Sequence, residues 1–123
     1  MKTKSILGLI AGAFLILSAG AHSILGWKAQ SEALALTNAP PDLVRGLMVG
    51  WMFGGPVMLV LGIICITIFL KRFRGDGVST FAPALIAVAY LAFGTWAAVI
   101  TGGDPFFMLF AVPGVLLAIA SIP

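Results

Sequence analysis

The stretch Gly46–Leu70 reads GLMVGWMFGGPVMLVLGIICITIFL, and it contains no Asp, Glu, Lys or Arg. A helix crossing a hydrocarbon core of about 30 Å needs about 20 apolar residues in a row. Inside lipid every backbone N–H and C=O must find its partner in the protein, and an α-helix meets that demand within one segment. The strict apolar–polar alternation of a membrane β-strand is absent. Asp42 and Arg45 precede the run, and Lys71, Arg72 and Arg74 follow it. The pattern is that of a transmembrane helix with polar ends.

Working outward, Ile6–Trp27, Phe81–Thr101 and Pro105–Ile122 have the same character. The four runs predict an all-α, polytopic membrane protein: an antiparallel four-transmembrane-helix bundle forming one domain over residues 1–123, with spans near 6–27, 46–70, 81–101 and 105–122. Composition agrees. Of 123 residues, 61% are hydrophobic and 9% charged, against about 45–50% and about 25% in ordinary soluble domains. A chain this short cannot hide that much apolar surface from water. Cys65 is the one cysteine, which excludes a disulfide scaffold and a cysteine-ligated metal site.

Basic residues set the expected orientation. Lys2 and Lys4 precede the first run, and Lys71, Arg72 and Arg74 separate the second from the third. The other connections carry Lys28 and Arg45, offset by Glu32 and Asp42, and then Asp104. Positive residues favour the cytoplasm, so the sequence predicts an inner-membrane protein with both termini inside. The net charge of +3 is thus mainly a topology signal. It is too small and dispersed for a nucleic-acid surface, and no nucleic-acid partner is expected.

The N-terminus admits a competing reading. Lys2 and Lys4, an apolar stretch and then Ala19-Gly20-Ala21 have the form of a secretory leader. Cleavage after Ala21 would make His22 an amino terminus able to chelate copper through amine and imidazole. Because the apolar run continues to Trp27, a full span in length, a retained first helix is the expectation.

Between the runs, Gly102-Gly103-Asp104-Pro105 reads as a tight turn in which Asp104 caps the fourth helix and Pro105 occupies its first turn. Arg74-Gly75-Asp76-Gly77 breaks the chain, and Ser79 or Thr80 can cap the third helix. Short connections predict that sequential helices pack as antiparallel neighbours. The long connection Lys28–Arg45 is expected to hold a short interfacial helix over Ser31–Leu36, ended by Pro40-Pro41. Pro56 and Pro113 should kink the second and fourth helices.

Helices in lipid associate through close backbone approach, which small residues permit. Three stripes of that kind stand out: Gly8 and Gly12 in the first run, Gly46, Gly50 and Gly54 in the second, and Gly94, Ala98 and Gly102 in the third. They predict a compact bundle in which the first three helices approach closely.

The candidate site is a layer near the predicted outer surface. His22, Trp51 and Trp96 fall there at similar depth, with Met48, Met52 and Met108. His22 is the one ionisable imidazole within a span, and an intramembrane ionisable group points to function by default. Tryptophan at an interface is otherwise an ordinary anchor, and Trp27 is read as one. Three chemistries suit the layer's residue types. Copper(I) would take His22 with Met48, Met52 or Met108. Haem would take His22 and a second axial ligand. A quinone or lipid would use His22 as a hydrogen-bond donor and Trp51 or Trp96 as walls. The clustered Met, Cys or His signatures of dedicated copper and haem sites are missing, so no cofactor is expected from the sequence itself.

No Asp or Glu lies within a span, and no Ser-His-Asp or zinc constellation is present. Four helices of this size resemble the small multidrug exporters in outline only: the first lacks their glutamate, and no function is carried across. The sequence therefore predicts a non-enzymatic protein, embedded in the lipid bilayer as an accessory subunit of a larger membrane complex or as a homo-oligomer. The alternatives are a homo-oligomeric channel or transporter for a neutral or lipophilic solute, and a redox protein holding haem, copper or quinone at His22.

Overall fold

The computed structural model describes residues 2–122, and every regular element among them is helical. Helix α1 runs over Lys2–Ala35. It is α-helical over Lys2–Gly20 and Trp27–Ala35, with a π-helical turn, Ala21–Gly26, between them. Helix α2 covers Pro41–Arg74, α3 Phe81–Ile100, the single turn α4 Pro105–Met108, and α5 Ala111–Ser121.

Helices α1, α2 and α3 are long and apolar enough to cross a membrane, and no more than a third of any of their apolar windows is buried inside the chain. Exposed Ile10, Leu17, Phe53, Val60, Val88 and Val99 lie along them. Such apolar surface is ruinous in water and ordinary against lipid.

The ends of the elements differ from expectation in ways the chain explains. No separate interfacial helix forms at Ser31–Leu36. Lys28–Ala35 holds good helix formers and no breaker, so α1 simply continues to Ala35. The chain then turns through Leu36–Asn38, and Pro40-Pro41 launches α2, with Pro41 in its first turn. At about 1.5 Å per residue α1 and α2 are each about 50 Å long, well beyond a core of about 30 Å.

The fourth run is not one continuous helix. Pro113 has no N–H to offer the carbonyl of Leu109, four residues earlier. The chain tightens there: Leu109 N donates to Phe106 O, Phe110 N to Phe107 O, and Val112 N to Leu109 O, all across three residues. The helix breaks at Leu109–Phe110, so Pro113 sits in the first turn of α5 rather than kinking a helix interior. Even unbroken, Pro105–Ser121 would extend only about 25 Å. Asp104 caps α4 by accepting from Phe106 N at 2.9 Å.

Packing follows an order that chain sequence does not. Helix α1 lies against α2 on one side and α5 on the other, and α5 lies against α3; α2 and α3 barely meet. The expectation that sequential helices are neighbours thus fails for α2 and α3, because α1 and α5 fill the space between them. At the α1–α2 crossing a Cβ on Gly62 would stand 2.8 Å from the Gly12 carbonyl oxygen and 3.1 Å from Ile16 N. Phe69, fully buried, fills the place a side chain at Gly8 would take. Gly55 accommodates Ser23 and approaches the Ala19 carbonyl. The α3–α5 contact uses Gly94 against Phe110 and Ala111, and Gly114 against Leu91.

The expected stripe Gly46–Gly50–Gly54 does not describe packing within the chain. Nothing lies within 4 Å of a Cβ on Gly46 or Gly50, and α2 turns Gly55, Gly62, Cys65 and Phe69 inward instead. Gly102, with φ +68°, ends α3 as a left-handed cap and makes no helix contact. Ala98 is half-buried.

One end of the bundle gathers the start of α1, the end of α2, the start of α3 and the end of α5. Arg72 donates to the carbonyls of Ala120 (2.6 Å) and Ile122 (3.3 Å), Lys4 to Ile122 (3.3 Å), and the Thr80 hydroxyl to Ser121 (2.9 Å). Two cations and a hydroxyl satisfy carbonyls that the α5 terminus leaves open, at the negative end of its dipole. Lys2, Lys71 and Arg74 belong to the same end. The opposite end carries the turns at Leu36–Pro40 and Thr101–Asp104.

Because the Gly62 contact is with backbone, no rotamer change can relieve an added methyl. Gly62→Ala should lower stability in mild detergent by about 1–3 kcal/mol, whereas Gly46→Ala should change it by no more than about 0.5 kcal/mol. Thermal unfolding of the two variants checks this, and equal effects would contradict the crossing described.

Candidate functional site

The half of α1 away from the basic end carries His22 at the start of its π turn. Such turns insert an extra residue and commonly mark functional positions. The imidazole reaches across to α2, where His22 Nε2 lies 3.0 Å from the Trp51 carbonyl oxygen. In return, Trp51 Nε1–H donates to the His22 carbonyl at 2.8 Å. The two rings stack with centroids 4.7 Å apart and planes within 1° of parallel.

Glycine makes this exchange sterically feasible on both helices. A Cβ on Gly54 would sit 2.6 Å from His22 Nε2, and one on Gly26 3.0 Å from Cζ2 of Trp51. Each ring therefore rests on a glycine of the opposite helix while its nitrogen bonds the opposite backbone. A carbonyl only accepts, so Nε2–H is the donor in this hydrogen bond.

Next to this pair lies a cavity of about 540 Å³, within the range typical of small-molecule sites. Helix α1 contributes Phe14, Ser18, His22 and Leu25; α2 contributes Trp51 and Met58; α3 contributes Tyr90 and Phe93. Phe106 and Phe107 of α4, Phe110 at the helix break and Pro113 of α5 complete it. Phe93 and Phe110 meet edge to face at 5.0 Å, and Phe106 and Phe107 at 5.4 Å. The walls are thus mostly aromatic. The tight turn at Leu109–Phe110 shortens the last helical stretch, and Phe107 and Phe110 are half-buried on the cavity wall while Phe106 stands at its exposed rim.

Of the residues singled out by sequence, His22 and Trp51 are brought together and both line the cavity. Trp96 is not among the lining residues; it lies 57% exposed on α3, against Phe93. Met48, Met52 and Met108 are exposed and none lines the cavity. The four-helix layer drawn from depth alone therefore divides, because depth carries no azimuth. The imidazole nitrogen directed at α2 is already taken by a carbonyl, and no methionine of the expected set stands in the cavity beside the ring. The expected ligand set of His22 with Met48, Met52 or Met108 is therefore not brought together; the methionine that lines the cavity with His22 is Met58. Among the described residues no group of three or more His, Cys, Asp or Glu side chains gathers to hold a metal.

The sequence reading missed Gly26, Gly55 and Gly62, and the aromatic wall of Tyr90, Phe93, Phe106, Phe107 and Phe110. A seven-residue spacing, Gly55 to Gly62 and on to Phe69, was the available signal for the first group. The second is visible only as a cluster of phenylalanines around the Asp104 turn. Nothing in the sequence marks the π turn.

Comparison with protein-family models, with curated proteins and with solved structures gives no match.

The stacked, doubly hydrogen-bonded pair should behave as one energetic unit. Trp51→Phe keeps the stack and loses the indole donor, at an expected cost of about 0.5–1.5 kcal/mol. A double-mutant cycle with His22→Ala and Trp51→Ala should return a coupling of about 1 kcal/mol or more. Additive losses would show that the two residues act independently.

Proposed function

We propose that this chain is a four-pass inner-membrane protein, both termini cytoplasmic, that holds a neutral lipophilic molecule in the aromatic cavity of its outer half. The cavity carries the reading. Its walls come from every helix, they are almost wholly apolar, and no carboxylate or cation lies among them. The gathering of Lys2, Lys4, Lys71, Arg72 and Arg74 at the opposite end supports the orientation. Helix α5, short by itself, is drawn across the bundle by the α4 turn at one end and the basic clasp at the other. The protein does no bond-making chemistry in this reading; it sequesters, presents or passes on its ligand.

Organic extraction of protein purified in mild detergent should return a neutral lipophile at near one molecule per chain. Ala21→Trp, which fills the cavity from α1, should reduce that yield at least about tenfold. Equal yields from both proteins remove the reading. Orientation is tested separately in a Cys65→Ser background: Gln30→Cys should react with an impermeant maleimide from outside intact cells stripped of their wall, and Ser79→Cys should not.

A second reading, as an accessory subunit of a larger complex or a homo-oligomer, is favoured by the open face of α2. Gly46 and Gly50 lie there with exposed Leu43, Leu47 and Phe53 and touch nothing in this chain. Native mass spectrometry of protein released from its own membrane should then show a second chain or copy, and a lone monomer ends this reading.

A further inference from the structure

The polar atoms of the cavity narrow its ligand beyond "lipophilic". Resting on the reading above, we infer that the cavity selects apolar molecules bearing a hydroxyl group, bound through Ser18, His22 and Tyr90. These three residues line the cavity. With Nε2–H engaged by the Trp51 carbonyl, Nδ1 is the ring nitrogen left over, and an imidazole that donates through Nε2 accepts through Nδ1. Among the described residues no hydrogen bond is made by Nδ1, by Ser18 Oγ or by Tyr90 Oη. Nor are these atoms sealed in. Among the described residues, Ser121 Oγ, at the far basic end, is the one buried side-chain N or O atom without a partner. The three groups are therefore reachable and have bonding capacity to spare.

What they lack defines what they would take. Nδ1 needs a donor. The two hydroxyls can each donate or accept. A ligand O–H supplies the proton that Nδ1 requires, and its oxygen can accept from Ser18, one helical turn away on α1. A purely carbonyl head group can accept from the hydroxyls but offers nothing to Nδ1. A hydrocarbon displaces any water from all three and returns no bond, which costs affinity. Phenols, hydroquinones and long-chain alcohols fit this demand, with the aromatic walls favouring a ring. Holding Nε2 on Trp51 thus sets the polarity of the head group the cavity prefers.

The test uses the full chain in lipid nanodiscs with Trp27→Phe and Trp96→Phe, so that Trp51 alone reports. Two probes are compared: a geranyl-substituted phenol and the same molecule with hydrogen in place of the hydroxyl. Affinities are expressed per mole fraction in lipid to remove partitioning. The phenol should quench Trp51 with about tenfold higher affinity. Ser18→Ala/Tyr90→Phe should cut that preference to about threefold or less, by weakening the phenol, by relieving the penalty on the hydrocarbon, or by both. If both probes bind equally, selection by hydroxyl is wrong and the cavity reading stands. If neither binds, the cavity reading falls and this inference with it. A full preference surviving in the double variant overturns the assignment to these groups.

Discussion

The close crossing of α1 and α2 is the constraint on which the other features depend. At Gly12 and Gly62 the two backbones approach with no room for a methyl group. In lipid there is no hydrophobic drive between helices, so such approach, with its dispersion contacts, is what holds them. The same crossing sets the registry further along. Seven residues from Gly62, Gly55 receives Ser23, and beside it Gly54 receives the His22 ring. Had Gly62 carried a side chain, the helices would splay and His22 would no longer reach the Trp51 carbonyl.

That registry explains how an imidazole is tolerated among apolar side chains. A polar group removed from water without a partner costs several kcal/mol in an apolar medium. His22 and Trp51 remove the cost mutually, each ring nitrogen using the other residue's carbonyl, so neither ring depends on water for that bond. The two glycines beneath the rings permit the geometry, and stacking fixes it. The pair forms one wall of the cavity, and one nitrogen of the imidazole makes no hydrogen bond among the described residues.

The fold was legible in the sequence to the degree that lipid dictates it. The charge-free runs locate α3 to within a residue and lie inside the longer α2, which extends five residues before its run and four beyond it, and Asp104-Pro105 and Gly75 begin or end elements where capping chemistry says they should. Legibility stops where a feature depends on azimuth. Gly46 and Gly50 have the spacing of a packing stripe, but Gly55 and Gly62 face α1, and nothing in a four-residue spacing distinguishes the two faces. Trp96 and Trp51 share a depth and not a direction. The break at Leu109–Phe110 was encoded in Pro113, although its effect falls four residues upstream, on the carbonyl that the proline cannot serve. The π turn has no such marker in the sequence, and it lies where Gly26 meets the indole of α2.

Cavity and crossing are two outcomes of one distribution of side-chain size. Toward the basic end, small residues of α1 (Gly8, Ala11, Gly12) meet Phe69, Cys65 and Leu117, and the interior is filled. Toward the other end α1 presents Ser18, Ala21 and His22, while α5 has given way to a tight turn whose bulky rings stand around a space instead of in it. A close-packed half therefore supports an open half. Filling the open half would have required a continuous last helix with aliphatic residues. Proline at 113 and four phenylalanines at 93, 106, 107 and 110 work against that solution together. A void lined by rings, with unspent hydrogen-bonding groups on its wall, gains favourable contacts only when something occupies it.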